Sequence, residues 1–174
     1  MFNEQLDNSR INSINVFLMT TEYLNFYNKL IKLTTNKSLY KSGMNKQDTF
    51  SDRLSLFLFH FAFILKKFKN DENDKKLQEL YDFNFRQLEL SIREIGYGDQ
   101  SINKKMKDYI NVFHGIISEI HFWDEMNSDK KRDVLTRFLE NFYNTEYLVD
   151  YFNNFNYDLN KFDLNSYLKS VNNQ

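Results

Sequence analysis

Thr49-Phe50-Ser51-Asp52-Arg53-Leu54-Ser55-Leu56-Phe57-Leu58-Phe59-His60-Phe61-Ala62-Phe63-Ile64-Leu65-Lys66-Lys67-Phe68 is the stretch on which the fold turns. Phe50, Leu54, Phe57, Phe61, Ile64 and Phe68 recur at the three-to-four spacing of one helix face. Leu56, Phe59 and Phe63 make the other side apolar too. A helix greasy all round is a central one, with other helices packed about it. Its longest apolar run, Leu56 to Leu65, is interrupted by His60 and falls well short of the roughly 20 residues that span a bilayer. Asp48, Thr49 or Ser51 supplies its N-cap.

Outward from this helix the same periodicity repeats. With no proline and only four glycines, obligatory breaks are few and the natural class is all-α, a single compact multi-helix domain of about six helices. Upstream, a helix from Thr21 to about Thr34 turns Leu24, Tyr27, Leu30 and Ile31 to one side. Residues 36–47 hold a short helical turn and a connection, with Gly43 as a helix end. Downstream, Asp71-Glu72-Asn73-Asp74 places carboxylates where a helix macrodipole favours them. That helix runs from about Asn73 to Ile95, with Leu77, Tyr81, Phe85, Leu88, Ile92 and Ile95 inward and Gly96 as C-cap. Ser101 is the expected N-cap of a helix to about Asp124 carrying Ile102, Met106, Tyr109, Phe113, Ile116 and Ile120 inward. Ser128 is expected to cap a fifth helix with Leu135, Phe138, Leu139 and Phe142, and Tyr147, Tyr151 and Phe155 mark a sixth. Phe162, Leu164, Tyr167 and Leu168 give the Asn-rich tail material for a last short helix. The expected division is a weakly patterned segment over 1–20, frayed or briefly helical to about residue 15, a helical domain over 21–155 and a tail over 156–174.

Composition narrows the chemistry. No cysteine means neither disulfides nor thiolate catalysis. The 23 basic and 24 acidic residues leave a formal charge of −1, so no global field draws the chain to nucleic acid, and DNA is not an expected partner. The 18 Phe and 11 Tyr accompany abundant Asn, Lys and Ile, the bias of an AT-rich genome, and do not by themselves indicate aromatic recognition. Met1-Phe2-Asn3-Glu4-Gln5 lacks the basic start of a secretory signal, and the expected location is cytoplasmic, with a peripheral visit to the inner membrane compatible.

No catalytic residue, metal or cofactor is expected. His60 sits within the apolar run, where a buried neutral imidazole bonded to a neighbour outweighs a proton shuttle. His114 and His121 share a helix face with Asp124 and Glu125 following, but the spacing matches no zinc or di-iron pattern. Nucleophile elbow and Walker loop are absent, and Gly96-x-Gly98 lacks the strand and the third glycine of a phosphate cradle. It is a helix-to-helix turn.

Beyond that turn, Lys104-Lys105-Met106-Lys107 puts three cations in the first turns of a helix, where the dipole disfavours them by about 0.3–1 kcal/mol each. Stability alone favours Asp or Glu there, so a partner's phosphates or carboxylates are one reason for the lysines. Compensation by Asp99 and Asp108 on a solvated face is the other. Arg93 adds a fourth cation, and this corner, Arg93, Asp99, Lys104, Lys105 and Lys107 around the structural turn of Gly96, Gly98 and Ser101, is the candidate binding site.

The same residues carry a family likeness. Leu80-Tyr81-Asp82, Leu90-Ser91-Ile92-Arg93-Glu94-Ile95-Gly96-Tyr97-Gly98-Asp99, Lys104-Lys105-Met106-Lys107 and Phe113-His114-Gly115 resemble the centre of the ubiquinol-cytochrome c chaperones. Asp52-Arg53-Leu54 and Leu58-Phe59-His60 extend the likeness upstream, for a coverage of about Tyr40 to Ile120. Prolines usual before the arginine-containing helix and near position 103 are absent, Tyr97 replaces a valine and His114 a tyrosine. The flanks before about Thr21 and after about Asp124 have no recognisable counterpart. The resemblance implies a non-enzymatic assembly factor for respiratory complex III of the alphaproteobacterial type. Mitochondrial members act with a small partner protein, bind newly made cytochrome b and associate with the ribosome. Two other classes stay open: a histidine-dependent enzyme or cofactor carrier, and an RNA- or ribosome-binding helical module, against which the near-neutral charge argues.

Overall fold

The computed structural model describes residues 19–43 and 49–172, so the expectation for residues 1–15 and the candidate cap Asp48 lie outside the described residues. Helix α1 occupies residues 19–34. It is followed by α2 (Lys37–Gly43), α3 (Phe50–Phe68), α4 (Asp74–Glu94) and α5 (Asp99–Ile120). A 3-10 turn (Trp123–Glu125) then leads to α6 (Ser128–Phe138), α7 (Thr145–Leu159) and α8 (Leu164–Asn172). No strand occurs among the described residues, so the fold is all-helical. The helices exceed the expected six because two short ones, α2 and α8, bury side chains: Leu39 in α2, and Leu164, Tyr167 and Leu168 in α8. Segments of that length depend on tertiary burial, since isolated helices shorter than about 12–15 residues are marginal in water.

Helix α3 is the axle. Every side chain from Leu56 to Ile64 is buried. Phe61 stacks on Phe113 of α5 at 5.3 Å between ring centroids and also meets Phe26 of α1 (6.0 Å) and Phe85 of α4 (6.5 Å). Phe59 and Phe63 serve the opposite side, on Phe138 of α6, Phe152 of α7 and Trp123. Offset and edge-to-face pairs of this kind add about 0.5–1.5 kcal/mol each beyond area burial. The cap is Thr49: its hydroxyl oxygen accepts from the Asp52 N–H (3.2 Å), and Asp52 accepts from the Thr49 N–H (3.2 Å), a reciprocal capping box. Asp52 also accepts from Asn141 Nδ2 (2.7 Å), tying the segment after α6 to the start of α3.

Several expected faces shift. In α1 the buried stripe is Tyr23, Phe26 and Leu30, while Leu24 and Ile31 turn outward. Two apolar stripes overlap in this helix, and the one whose Phe26 ring reaches both Phe61 and Tyr167 goes inward. In α7 the core takes Leu148, Phe152 and Leu159, leaving Tyr147, Tyr151 and Phe155 half-buried around them. Phe50, the first residue of α3, and Ile95, the C-cap of α4, lie past the ends of the packed layer and are exposed. Ser101 is the third residue of α5 rather than its cap, because Gly98 in extended geometry (φ −74°, ψ 156°) opens the helix three residues earlier. Asn127, not Ser128, caps α6, its side-chain oxygen accepting from the Lys130 N–H at 2.9 Å.

Candidate functional site

The α4–α5 corner is built by a helix that stops at Gly96. Gly96 adopts φ +98°, a conformation L side chains rarely take, and its N–H donates to the Arg93 carbonyl at 2.9 Å. Tyr97 and Gly98 complete the reversal, and α5 begins with no side-chain cap.

The four cations do not act as one cluster. Arg93 is committed: Nη2 and Nε donate to Glu89 Oε1 (2.8 and 3.2 Å), and Nη1 pairs with Asp99. The bonds to Glu89, then to Asp99, raise its pKa further. Lys105 is half-buried and lays its ammonium over the Tyr97 ring, 4.5 Å from the centroid, a cation–π contact. Lys104 and Lys107 are exposed, and among the described residues neither meets a carboxylate partner. Three residues apart, they are neighbours on one side of α5, whereas Lys105 points roughly 100° away. At the turn itself Ile95 and Tyr97 are exposed apolar side chains. The corner thus offers two uncommitted cations and two exposed apolar groups. Its formal charge is offset by Glu89, Glu94, Asp99 and Asp108.

The histidines lie apart. His60 is fully buried, its Nδ1–H donating to the Leu56 carbonyl and its Nε2 accepting from the Tyr151 hydroxyl, both at 2.7 Å. Burial drives its pKa from about 6.5 to about 4, the Leu56 contact only partly opposing, and burial raises that of Tyr151. His114 is exposed with Tyr81 Oη at 3.5 Å, and His121 packs against Phe122. Asp124, which follows His121, is taken by Lys66 (3.1 Å) and by Asn156 Nδ2 (2.6 Å). No group of three metal-ligating side chains assembles among the described residues.

The sequence model of the ubiquinol-cytochrome C chaperone family matches residues 43–168. This chain belongs to that family. The match carries the likeness beyond Ile120, through α6 and α7 and into α8, and so includes the whole α4–α5 corner of this chaperone-family member. The crystal structure of the Cbp3 homolog from Brucella abortus aligns with a TM-score of 0.74 at 22% identity over 91% of each chain, a likeness of fold. No curated protein matches the chain. Among the described residues no helix is long and apolar enough to cross a membrane.

Periodicity missed the polar ties that hold this chaperone fold together, Asp52 to Asn141, Asn156 to Asp124, and Trp123 Nε1 to Asn153 at 3.0 Å. Their partners are 30 or more residues apart, and no spacing rule links them.

Proposed function

We propose that this chain is a non-enzymatic assembly chaperone that binds newly made cytochrome b during biogenesis of the cytochrome bc1 complex, using the α4–α5 corner as a client contact. Membership of the chaperone family over residues 43–168 is the observation that carries the reading. The corner supports it physically: Ile95 and Tyr97 expose apolar surface at the turn that leads into the helix of Lys104 and Lys107, which among the described residues have no ion-pair role to explain them. A protein client needs both, apolar area for affinity and charge for orientation. A histidine-dependent enzyme is the poorer reading, because His60 is walled in and both its ring nitrogens are occupied. Ribosome association and a small partner protein remain part of the proposal through the family alone.

The test is affinity isolation from respiring cells with quantification of co-isolated cytochrome b. Wild type retains it, and a Lys104→Glu/Lys105→Glu/Lys107→Glu variant at low salt retains about tenfold less. Equal retention by the variant refutes the corner as a contact. Absence of cytochrome b from the wild-type isolate refutes the client.

A further inference from the structure

Three apolar side chains that periodicity assigns to inner helix faces, Ile31, Phe50 and Ile95, are instead 39%, 44% and 56% exposed. All three lie at one end of the molecule. Helices α1 and α4 run side by side in the same direction, with Glu22 on Lys76, Tyr23 on Phe83 and Tyr27 on Ser91. One helical turn beyond that last contact each presents an isoleucine, Ile31 and Ile95. Helix α3 runs the other way past α1, since Tyr27 meets Phe57 and Phe26 meets Phe61. Its first residue, Phe50, two turns before Phe57 on the same stripe, therefore emerges at that end as well. The N-terminus of α5 is there too, without a side-chain cap and with Lys104 and Lys107 unpaired among the described residues. An apolar rim contributed by three helix ends suits an apolar helix face, and the adjoining cations suit carboxylates.

We propose that the end of the bundle formed by Ile31, Phe50 and Ile95 receives one apolar helix of the client, oriented by acidic residues flanking that helix that meet Lys104 and Lys107. This deepens, and rests on, the chaperone reading above. An anionic lipid surface suits this end less well, because Glu94, Asp99 and Asp108 are exposed among the same lysines and cancel the net positive charge that such a surface selects.

The test uses the full chain and two synthetic amphipathic helices with the same leucine stripe, one flanked by Glu and one by Lys, followed by fluorescence anisotropy at low salt. The Glu-flanked peptide binds about tenfold more tightly, and Phe50→Glu or Ile95→Glu weakens both peptides by about tenfold. Phe122→Glu, at an exposed position just past the other end of α5, leaves binding unchanged. Lys104→Glu/Lys107→Glu reverses the preference toward the Lys-flanked peptide. These substitutions are at exposed positions, and thermal unfolding of each variant checks that the fold is retained. Equal affinity for the two peptides, or a loss with Phe122→Glu as large as with Ile95→Glu, overturns the proposal. So does binding to phosphatidylglycerol vesicles in place of both peptides, which assigns this end to lipid. If cytochrome b co-isolates with wild type while neither peptide binds, this proposal alone falls. If cytochrome b does not co-isolate, the chaperone reading falls whatever the peptides do.

Discussion

His60 is a residue whose surroundings decide its chemistry. Sequence placed an imidazole amid phenylalanines, and the structure supplies the Leu56 carbonyl and the Tyr151 hydroxyl that satisfy it there. The first partner is local, the i−4 carbonyl of the same helix, and was foreseeable. The second comes from α7, 91 residues away, and was not. The neutral form is what fits, so the folded pKa sits near 4 while the unfolded chain titrates near 6.5. Folding therefore excludes a proton below about pH 6.5, and the stability that His60 contributes is present above that pH and lost as pH falls toward 4. Between pH 7 and pH 5 the loss from this group is about 2 kcal/mol. A His60→Leu variant starts less stable at pH 7 but loses about that much less between the two pH values, measured by urea denaturation. Equal losses in both proteins would place the acid sensitivity elsewhere.

Among the elements, helix ends divide into those with a local code and those without. The cap of α3 was legible only as a choice among Asp48, Thr49 and Ser51, of which the structure takes Thr49 with Asp52 completing a capping box, and Gly96 was legible as a glycine directly after an apolar stripe. The start of α5 was misplaced because Ser101 is a good cap by type, yet extended geometry is adopted at Gly98. The inward side of α1 was ambiguous because Leu24 and Ile31 form a stripe as regular as Tyr23, Phe26 and Leu30, and only the rings of α3 and α8 choose between them. The two turn glycines are now separable. A Cβ at either position meets nothing within 4 Å, so the difference is purely one of backbone. Gly96→Ala, at φ +98°, costs about 1–2 kcal/mol. Gly98→Ser keeps a cap-compatible backbone, adds a side-chain acceptor for the first amides of α5, and stabilises by a few tenths of a kcal/mol. Thermal unfolding of the two variants should move in opposite directions. A matching fall in both would mean that the turn is held by contacts other than its dihedral angles.

Across the whole molecule one cluster of buried side chains runs from α1 to α8, and α3 supplies its middle. The central helix was readable because its apolar groups fill every direction. The tail was only half readable, because Asn-rich sequence hides the few side chains that matter. Tyr167 sets its ring 5.5 Å from Phe68 and 6.3 Å from Phe26, closing the end of α3 against the far side of α1. Leu168, fully buried, sits next to it in the same short helix. The family match also reaches residue 168. If α8 is part of the fold rather than an appendage, a cavity at Leu168 should destabilise the entire protein in one transition. Leu168→Ala is expected to cost about 2–5 kcal/mol. Phe162→Ala, at a position 36% exposed just before α8, should cost much less. Circular dichroism and Trp123 fluorescence should report the same lowered midpoint for Leu168→Ala, since Trp123 lies in the same core through Phe63. A biphasic loss, with the fluorescence midpoint unchanged, would instead make α8 an independently docking segment.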